Sequence, residues 1–343
     1  MTGTPSSPSL AAQTFAGSYG AVALAAYEPD EAMFARQLLS IQAQTHKEFV
    51  CLISVDGNVE RVQGIVKRTC GDDDRFRVLG YDNRLGFHHN FERALKEVPA
   101  EARWVALSDQ DDYWYPQKLT KLLPYLDDSA LVTCQARVVS AEISMTDPDP
   151  AKGELTDRKN VGAADLFANN QVTGSLCAFR REVLDLALPF PSLAAPSQYH
   201  DHWIALCAMA GKGVRIEDLV LQDYVQHGGN VVGESSQSLV GSIRNTFRFV
   251  RRYEGNASAR SICRIIYKTG LGWRTLMART LLQRGQPAGQ PFPADLTEAL
   301  DVYAKPRTVR LVQLLAGGWR RRNVPMMRVL EILLGAVFRP WCR

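Results

Sequence analysis

Three things are scarce in this 343-residue chain. Paired cysteines are absent: the seven cysteines, at 51, 70, 134, 177, 207, 263 and 342, form no C-x-x-C pair. An odd, scattered set excludes a disulfide framework and a zinc knuckle and fits a reducing compartment, with the thiols as small buried apolar residues. Long apolar runs are missing too. Nothing approaches the roughly 20 residues needed to cross a bilayer, and the longest candidate, Val329 to Phe338, is interrupted by Glu331. Residues 1–18 have neither a basic start nor a continuous apolar stretch, so they read as a flexible tail rather than a signal peptide. No internal repeat or heptad is present.

What is there is divided by charge. Residues 240–343 hold 19 Lys/Arg against 5 Asp/Glu, whereas residues 1–239 hold 21 against 31. The net charge of +4 therefore joins an acidic body to a strongly basic carboxy-terminal segment, which suits an anionic partner. With 46% hydrophobic residues the chain can build a sizeable core.

The acidic body alternates short apolar runs with helical patterns. Residues 21–28, 49–55, 76–81, 103–107 and 131–139 read as strands. Asp30 sits where a helix N-cap belongs, and Phe34, Leu38 and Ile41 follow on one face. Helices are also expected over 61–69, 90–98, from Pro116 onward and over 202–210. Residues 141–168, with Asp147-Pro148-Asp149-Pro150, read as an excursion. This alternation predicts an α/β fold with a mainly parallel, doubly wound sheet. Ligands of such sheets bind beyond the carboxyl ends of the strands. Tyr27-Glu28, Asp56 and Asp109 all fall at such ends and are expected on one rim.

The stretch LSDQDDYW (107–114) crowds Asp109, Asp111 and Asp112 behind a strand. Like charges this close repel, so either a hard cation such as Mg²⁺ or Mn²⁺ neutralises them, or the group is a solvated acidic turn capping the next helix. Further along stand LLSIQAQTHKEFVCLISVDGN (38–58), NRLGFHHNFERAL (83–95), VTGSLCAFRREVL (172–184), YHDHWIALCA (199–208) and DYVQHGGNVVG (223–233). In this order, from Ala21 to Gly233, the pieces resemble the family-2 glycosyltransferases of GT-A fold. DQDDYW, HDHW and QHGGN look like that family's bacterial rhamnosyltransferase-like branch.

The resemblance implies roles by position. Ala26, Tyr27 and Glu28 would lie beside the nucleotide, with Asp56 on its base. Val55 departs from the acidic residue usual before that position. Asp111 would hold the metal and Asp109 the ribose or a metal-bound water, with His227 a further ligand or a phosphate donor. Arg84 would reach the diphosphate. Asp201 matches the catalytic base, and it could equally cap the helix that follows. Gly174, Ser175 and Trp203 would lie along the donor and acceptor sugars. His200 and His202 flank Asp201 and raise a zinc site as a weaker reading.

The domain layout expected is a tail over 1–18, a GT-A catalytic domain over 19–235 (nucleotide half about 19–140, acceptor half about 160–235) and a helical basic region over 236–343. The last segment mixes apolar clusters with Arg320-Arg321-Arg322, Trp319, Phe338 and Trp341. It reads as a membrane-surface element or as a helical subdomain with solvated arginines, and no nucleic-acid-reading motif accompanies its charge. The function expected is an inverting, Mg²⁺- or Mn²⁺-dependent transfer from a nucleoside-diphosphate sugar, dTDP-rhamnose or a UDP-hexose, to a glycan acceptor carried on a lipid. The enzyme would be cytoplasmic or peripheral on the inner face of the plasma membrane. The alternatives are an aspartate-nucleophile phosphatase, which would want its D-x-D after the first strand, and a non-catalytic glycan-binding relative.

Overall fold

A computed structural model describes residues 14–81, 83–140, 153–226, 249–256, 258–285 and 291–342. His227, the expected domain boundary near 235 and most of the expected tail lie outside these residues.

Among the described residues nine strands form one sheet: β1 (Gly20–Ala26), β2 (Phe49–Val55), β3 (Phe76–Leu79), β4 (Trp104–Ser108), β5 (Tyr113–Trp114), β6 (Leu131–Ser140), β7 (Glu154–Leu155), β8 (Cys177–Arg180) and β9 (Val214–Gln226). Their order is β3-β2-β1-β4-β8-β6-β9-β5, with β7 on β6. The pairs β3–β2, β2–β1, β1–β4 and β6–β9 are parallel. β8 lies antiparallel between β4 and β6, so those two point the same way and six strands share one direction. The short β5 and β7 run against their neighbours. The sheet is therefore mixed, a parallel half continued by strands interleaved with reversals.

Period-two alternation explains how β1 serves two cores at once. Ala21 and Ala23 face one layer with Val50, Leu52, Val105 and Leu107. Val22, Leu24 and Ala26 face the other with Ile53, Val55, Trp104 and Ala106. Both faces are covered, which is why these strands are almost continuously apolar.

The helices of the first half are α1 (Glu31–Gln42), α2 (Val59–Cys70), α3 (Phe87–Lys96) and α4 (Lys118–Leu122). α1 starts as its sequence dictates: Asp30 accepts hydrogen bonds from the backbone N–H groups of Ala32 and Met33, each at 3.0 Å. The excursion after β6 holds more structure than its polar composition suggests, including the buried α5 (Ala163–Ala168). Then come α6 (Val183–Ala187) and α7 (His200–Ala210).

The carboxy-terminal helices are α8 (Ala259–Tyr267), continued by a π-helical turn over Lys268–Gly272, α9 (Trp273–Arg284), α10 (Ala294–Ala304), α11 (Thr308–Arg320) and α12 (Met326–Phe338). They share a core with the sheet half: Trp273, Met277, Leu300 and Ile332 cluster with Phe91, Phe167 and Trp203. Polar contacts fix the seam. Arg321 binds buried Asp165 through both oxygens at 2.8 and 3.0 Å, and Asn323 adds a third bond at 2.7 Å. Arg274 donates to the carbonyl of Ala168 at 2.7 Å. No helix among the described residues is long and apolar enough to cross a membrane.

Candidate active site

Three adjacent parallel strands, β2, β1 and β4, end together. Ala26 pairs with Val55, and Leu24 with Ser108, so Tyr27, Asp56 and Asp109 leave the sheet on one rim, as expected. Side chains stitch this rim. Gln110 accepts from the backbone N–H of Tyr27 at 2.8 Å and donates to its carbonyl at 3.2 Å. Asn90 of α3 donates to the carbonyls of Ala26 and Ser54 at 3.3 and 3.0 Å, while its own oxygen accepts from Ser54 Oγ at 2.6 Å.

Asp56 is buried and heavily engaged. Oδ1 accepts from the N–H of Leu85 at 2.8 Å and from Arg93 at 2.7 Å, and Oδ2 accepts from the N–H of Gly86 at 2.7 Å. It shapes the 84–86 turn, where Gly86 has φ +81°. Arg84, exposed on that turn, stacks on the Tyr27 ring at 3.9 Å. Glu28 is exposed with φ +41°. Ala26 itself is 0% exposed and its carbonyl accepts from the Asp56 N–H at 2.8 Å, so it backs the rim without facing a ligand. Arg93 was not expected here. It sits 37 residues from Asp56 on another element, and nothing in the sequence marks it.

The acidic cluster splits into two kinds of carboxylate. Asp112 is buried: Oδ1 accepts from the N–H of Val225 at 3.1 Å, and Oδ2 from Gln222 at 3.0 Å. Burial first, then the charge of Asp111, pushes it up to about 7. It ties the loop to β9. Asp109 is half-buried, and its carboxyl is pushed well above the usual range by burial and by the charges of Asp112, Asp111 and Asp201. Behind them lies Lys118, fully buried, donating to the carbonyl of Ser175 and to Gln222 Oε1 at 2.6 Å and lying 3.8 Å from the Trp114 ring centre. Burial drags Lys118 down to about 8 while Asp112 and Asp109 hold it up. Trp114 packs beneath the loop, fully buried.

Asp201 stands in the first turn of α7, inside the helix rather than at its cap, which is Tyr199. Oδ1 accepts from its neighbour His202's N–H at 2.6 Å and from Asn170 at 3.1 Å, and Oδ2 accepts from Gly174's N–H at 3.2 Å. Burial pushes the carboxyl up to about 6 despite those bonds and nearby Arg158. Asp201 contributes to raising Asp109, so the two share one electrostatic neighbourhood.

Residues 174–176 form a 3₁₀ turn before β8 rather than a strand. A Cβ on Gly174 would fall 2.7 Å from His200 Nε2 and 3.6 Å from the Asp201 Cβ. Ser175 is fully buried, its Oγ accepting from Gln222 at 3.0 Å, so it supports the acidic loop and cannot line a sugar pocket. Trp203 is a second correction. It is 0% exposed and donates its indole N–H to the Ala187 carbonyl at 2.9 Å, because it falls on the core face of α7. The zinc reading has no support either. Residues two apart on a helix diverge: His202 bonds the Leu166 carbonyl at 2.9 Å and is pushed down to about 3, and His200 stacks on Phe91 at 3.9 Å.

A divalent ion would find Asp109 and Asp111 here. Among the described residues no three His, Cys, Asp or Glu side chains could cage a metal. The donor set fits an ion that shares one or two carboxylates with a ligand's phosphates, the usual habit of Mg²⁺.

Residues 22–186 match the family described as glycosyl transferase family 2. Over 109 residues the chain is 27% identical to an uncharacterized glycosyltransferase of Methanocaldococcus jannaschii, covering 32% of this chain and 37% of that protein. The match thus spans little more than a third of that curated relative. Among solved structures, S. aureus TarS 1–349 in complex with UDP-GlcNAc has a TM-score of 0.51 at 17% identity, covering 94% of this chain and 88% of that one. A second S. aureus TarS 1–349 structure gives 0.50 at 16% identity, with the same coverage. At such identities the likeness is one of fold.

Proposed function

We propose that the chain, whose residues 22–186 match glycosyl transferase family 2, transfers a sugar with inversion at the donor's anomeric centre, with Asp201 as the base. The donor is a nucleoside-diphosphate sugar, dTDP-rhamnose or a UDP-hexose, and the acceptor is a glycan carried on a lipid at the inner face of the plasma membrane. The observation that carries this reading is the pairing of Asp201 with the acidic rim. A carboxyl held by three hydrogen bonds, pushed up to about 6, stands in the same electrostatic neighbourhood as Asp109.

In this reading the rim residues divide the work. Tyr27, Arg84 and the turn held by Asp56 receive the nucleotide. Gly174 lets its turn pack close against His200 and donate its N–H to Asp201, which fixes the base in place. Asp109 and Asp111 hold Mg²⁺ or Mn²⁺, which when bound supplies a Lewis acid for the charge gathering on the departing diphosphate. Asp201 takes the proton from the acceptor hydroxyl as that oxygen attacks the anomeric carbon and the diphosphate leaves. A base titrating near 6 is ionised at neutral pH yet retains affinity for a proton.

Thermal unfolding with a panel of nucleotide sugars, with and without Mn²⁺, tests it. A ligand at a hundred times its dissociation constant adds about 2.7 kcal/mol. The metal-dependent part of that gain should vanish in Asp111→Asn. Stabilisation by simple phosphate esters with release of phosphate, and none by any nucleotide sugar, would point to the phosphatase alternative instead.

A further inference from the structure

Eight of the thirteen large hydrophobic side chains exposed among the described residues lie between 309 and 337. They are not scattered. On α12, Met326, Leu330, Leu334 and Val337 recur at i, i+4, i+8 and i+11, with Met327 beside them, each between 44% and 64% exposed. This gives one stripe along a helix of about 20 Å. The opposite face, Val329, Ile332 and Gly335, is buried. On α11, Val309, Val312 and Trp319 form a second exposed line.

The stripe cannot roll inward. A Cβ on Gly270 would lie 2.2 Å from the Glu331 carbonyl oxygen, and one on Gly335 would lie 2.8 Å from the Leu271 backbone nitrogen. α12 and the π-helical turn thus meet backbone to backbone, and the apolar face is held outward by the packing of its other side.

Around it the charge has one sign. Residues 305–343 carry nine Lys/Arg and one acidic residue, Glu331, which pairs with Arg328. Arg320 and Arg322 are exposed at the turn between the two stripes, beside Trp319. A fixed apolar helix face, an aromatic with a polar edge and a cluster of arginines is the chemistry of an anionic lipid surface. A second copy of this chain is disfavoured, because a two-fold contact would bring two such basic faces together.

We propose that α11 and α12 dock the enzyme on an anionic bilayer, with the α12 stripe entering the headgroup boundary and Arg320 and Arg322 on the headgroups. The contact rests on the transferase reading only for why the enzyme should be there, and it is measured without donor or acceptor. The full-length protein is sedimented with phosphatidylglycerol/phosphatidylcholine vesicles and with pure phosphatidylcholine. Partition should be at least tenfold greater on the anionic vesicles. Leu330→Glu/Leu334→Glu should lower it at least tenfold with an unchanged melting temperature, and Arg320→Glu/Arg322→Glu should remove the preference for the anionic lipid. Three results overturn the proposal: no vesicle binding by the wild type, undiminished binding by the leucine variant, or light scattering showing that this variant splits a dimer.

Discussion

Replacing Asp201 by Asn keeps the side chain's shape and removes one charge and one acceptor. Its energetic consequences can be worked from the contacts. The amide oxygen can keep the bonds from Asn170 and the His202 N–H, but the new NH₂ then faces the Gly174 N–H. A donor facing a donor in a half-buried site costs about 1–3 kcal/mol. Against this stands the charge. A carboxyl titrating near 6 instead of its ordinary 3.8 costs at most about 3 kcal/mol to ionise in the fold. The folded protein holds this proton up to pH 6, whereas the unfolded chain releases it near 3.8. The contribution to stability is therefore complete below pH 3.8 and is lost as pH rises through 6. The two effects oppose each other, so Asp201→Asn should unfold within about 2 kcal/mol of wild type at pH 7. The difference between the two proteins should change between pH 4 and 6, where only the wild type loses this stability. Transfer to acceptor should nevertheless fall by about 10²–10⁴, the usual worth of a positioned base. Unfolding titrations at several pH values, with nucleoside-diphosphate release measured alongside, check both halves. A variant that transfers sugar within threefold of wild type refutes the base assignment. A wild-type rate with no ionisation near pH 6 refutes the electrostatic argument.

Two further changes probe the rim. Arg93→Met leaves Asp56 buried without its guanidinium, which should cost about 3–5 kcal/mol of stability, read by urea unfolding. Because the 84–86 turn hangs on the same carboxylate, the donor KM should rise as well. Gly174→Ala drives a Cβ to 2.7 Å from His200 Nε2, and that ring cannot easily withdraw because it stacks on Phe91. It should destabilise by about 1–3 kcal/mol and lower kcat by displacing Asp201, as steady-state kinetics would report.

The sequence carried what depends on local chemistry. Asp30 was legible as a cap because an N-cap needs only its next three residues. The rim was legible because strands of one direction end on one side. The reversal of β8 was not, since four residues of Cys177–Arg180 look alike in either direction. Trp203 misled for a related reason: Asp201 two residues before it points to the site, but residues two apart on a helix lie on opposite sides, about 200° round, which set Trp203 against Ala187. The exposed stripe on α12 was hidden as well. Its helix is apolar nearly all round, so only packing reveals which half lacks a partner.

The crowded aspartates are settled by long-range contacts of the same kind. In the sequence Asp109, Asp111 and Asp112 read either as carboxylates neutralised by a hard cation or as a solvated acidic turn, and Lys118 looks like an ordinary surface lysine six to nine residues on. In the fold Lys118 turns inward and, through Gln222, stands behind Asp112. It is the protein's own counter-charge, and it serves the carboxylate that ties the loop to β9. Asp112 is still pushed up to about 7 and Asp109 well above the usual range, in both cases by burial first and then by neighbouring carboxylates. A fold that neutralised these groups fully would have no electrostatic reason to bind a divalent ion with a diphosphate. In the proposed reading, a doubly charged ion arriving with the donor would offset the crowding of these carboxylates. On this argument the rim should bind metal weakly alone and more tightly with nucleotide, because neither the two carboxylates nor the diphosphate completes the ion's shell without the other.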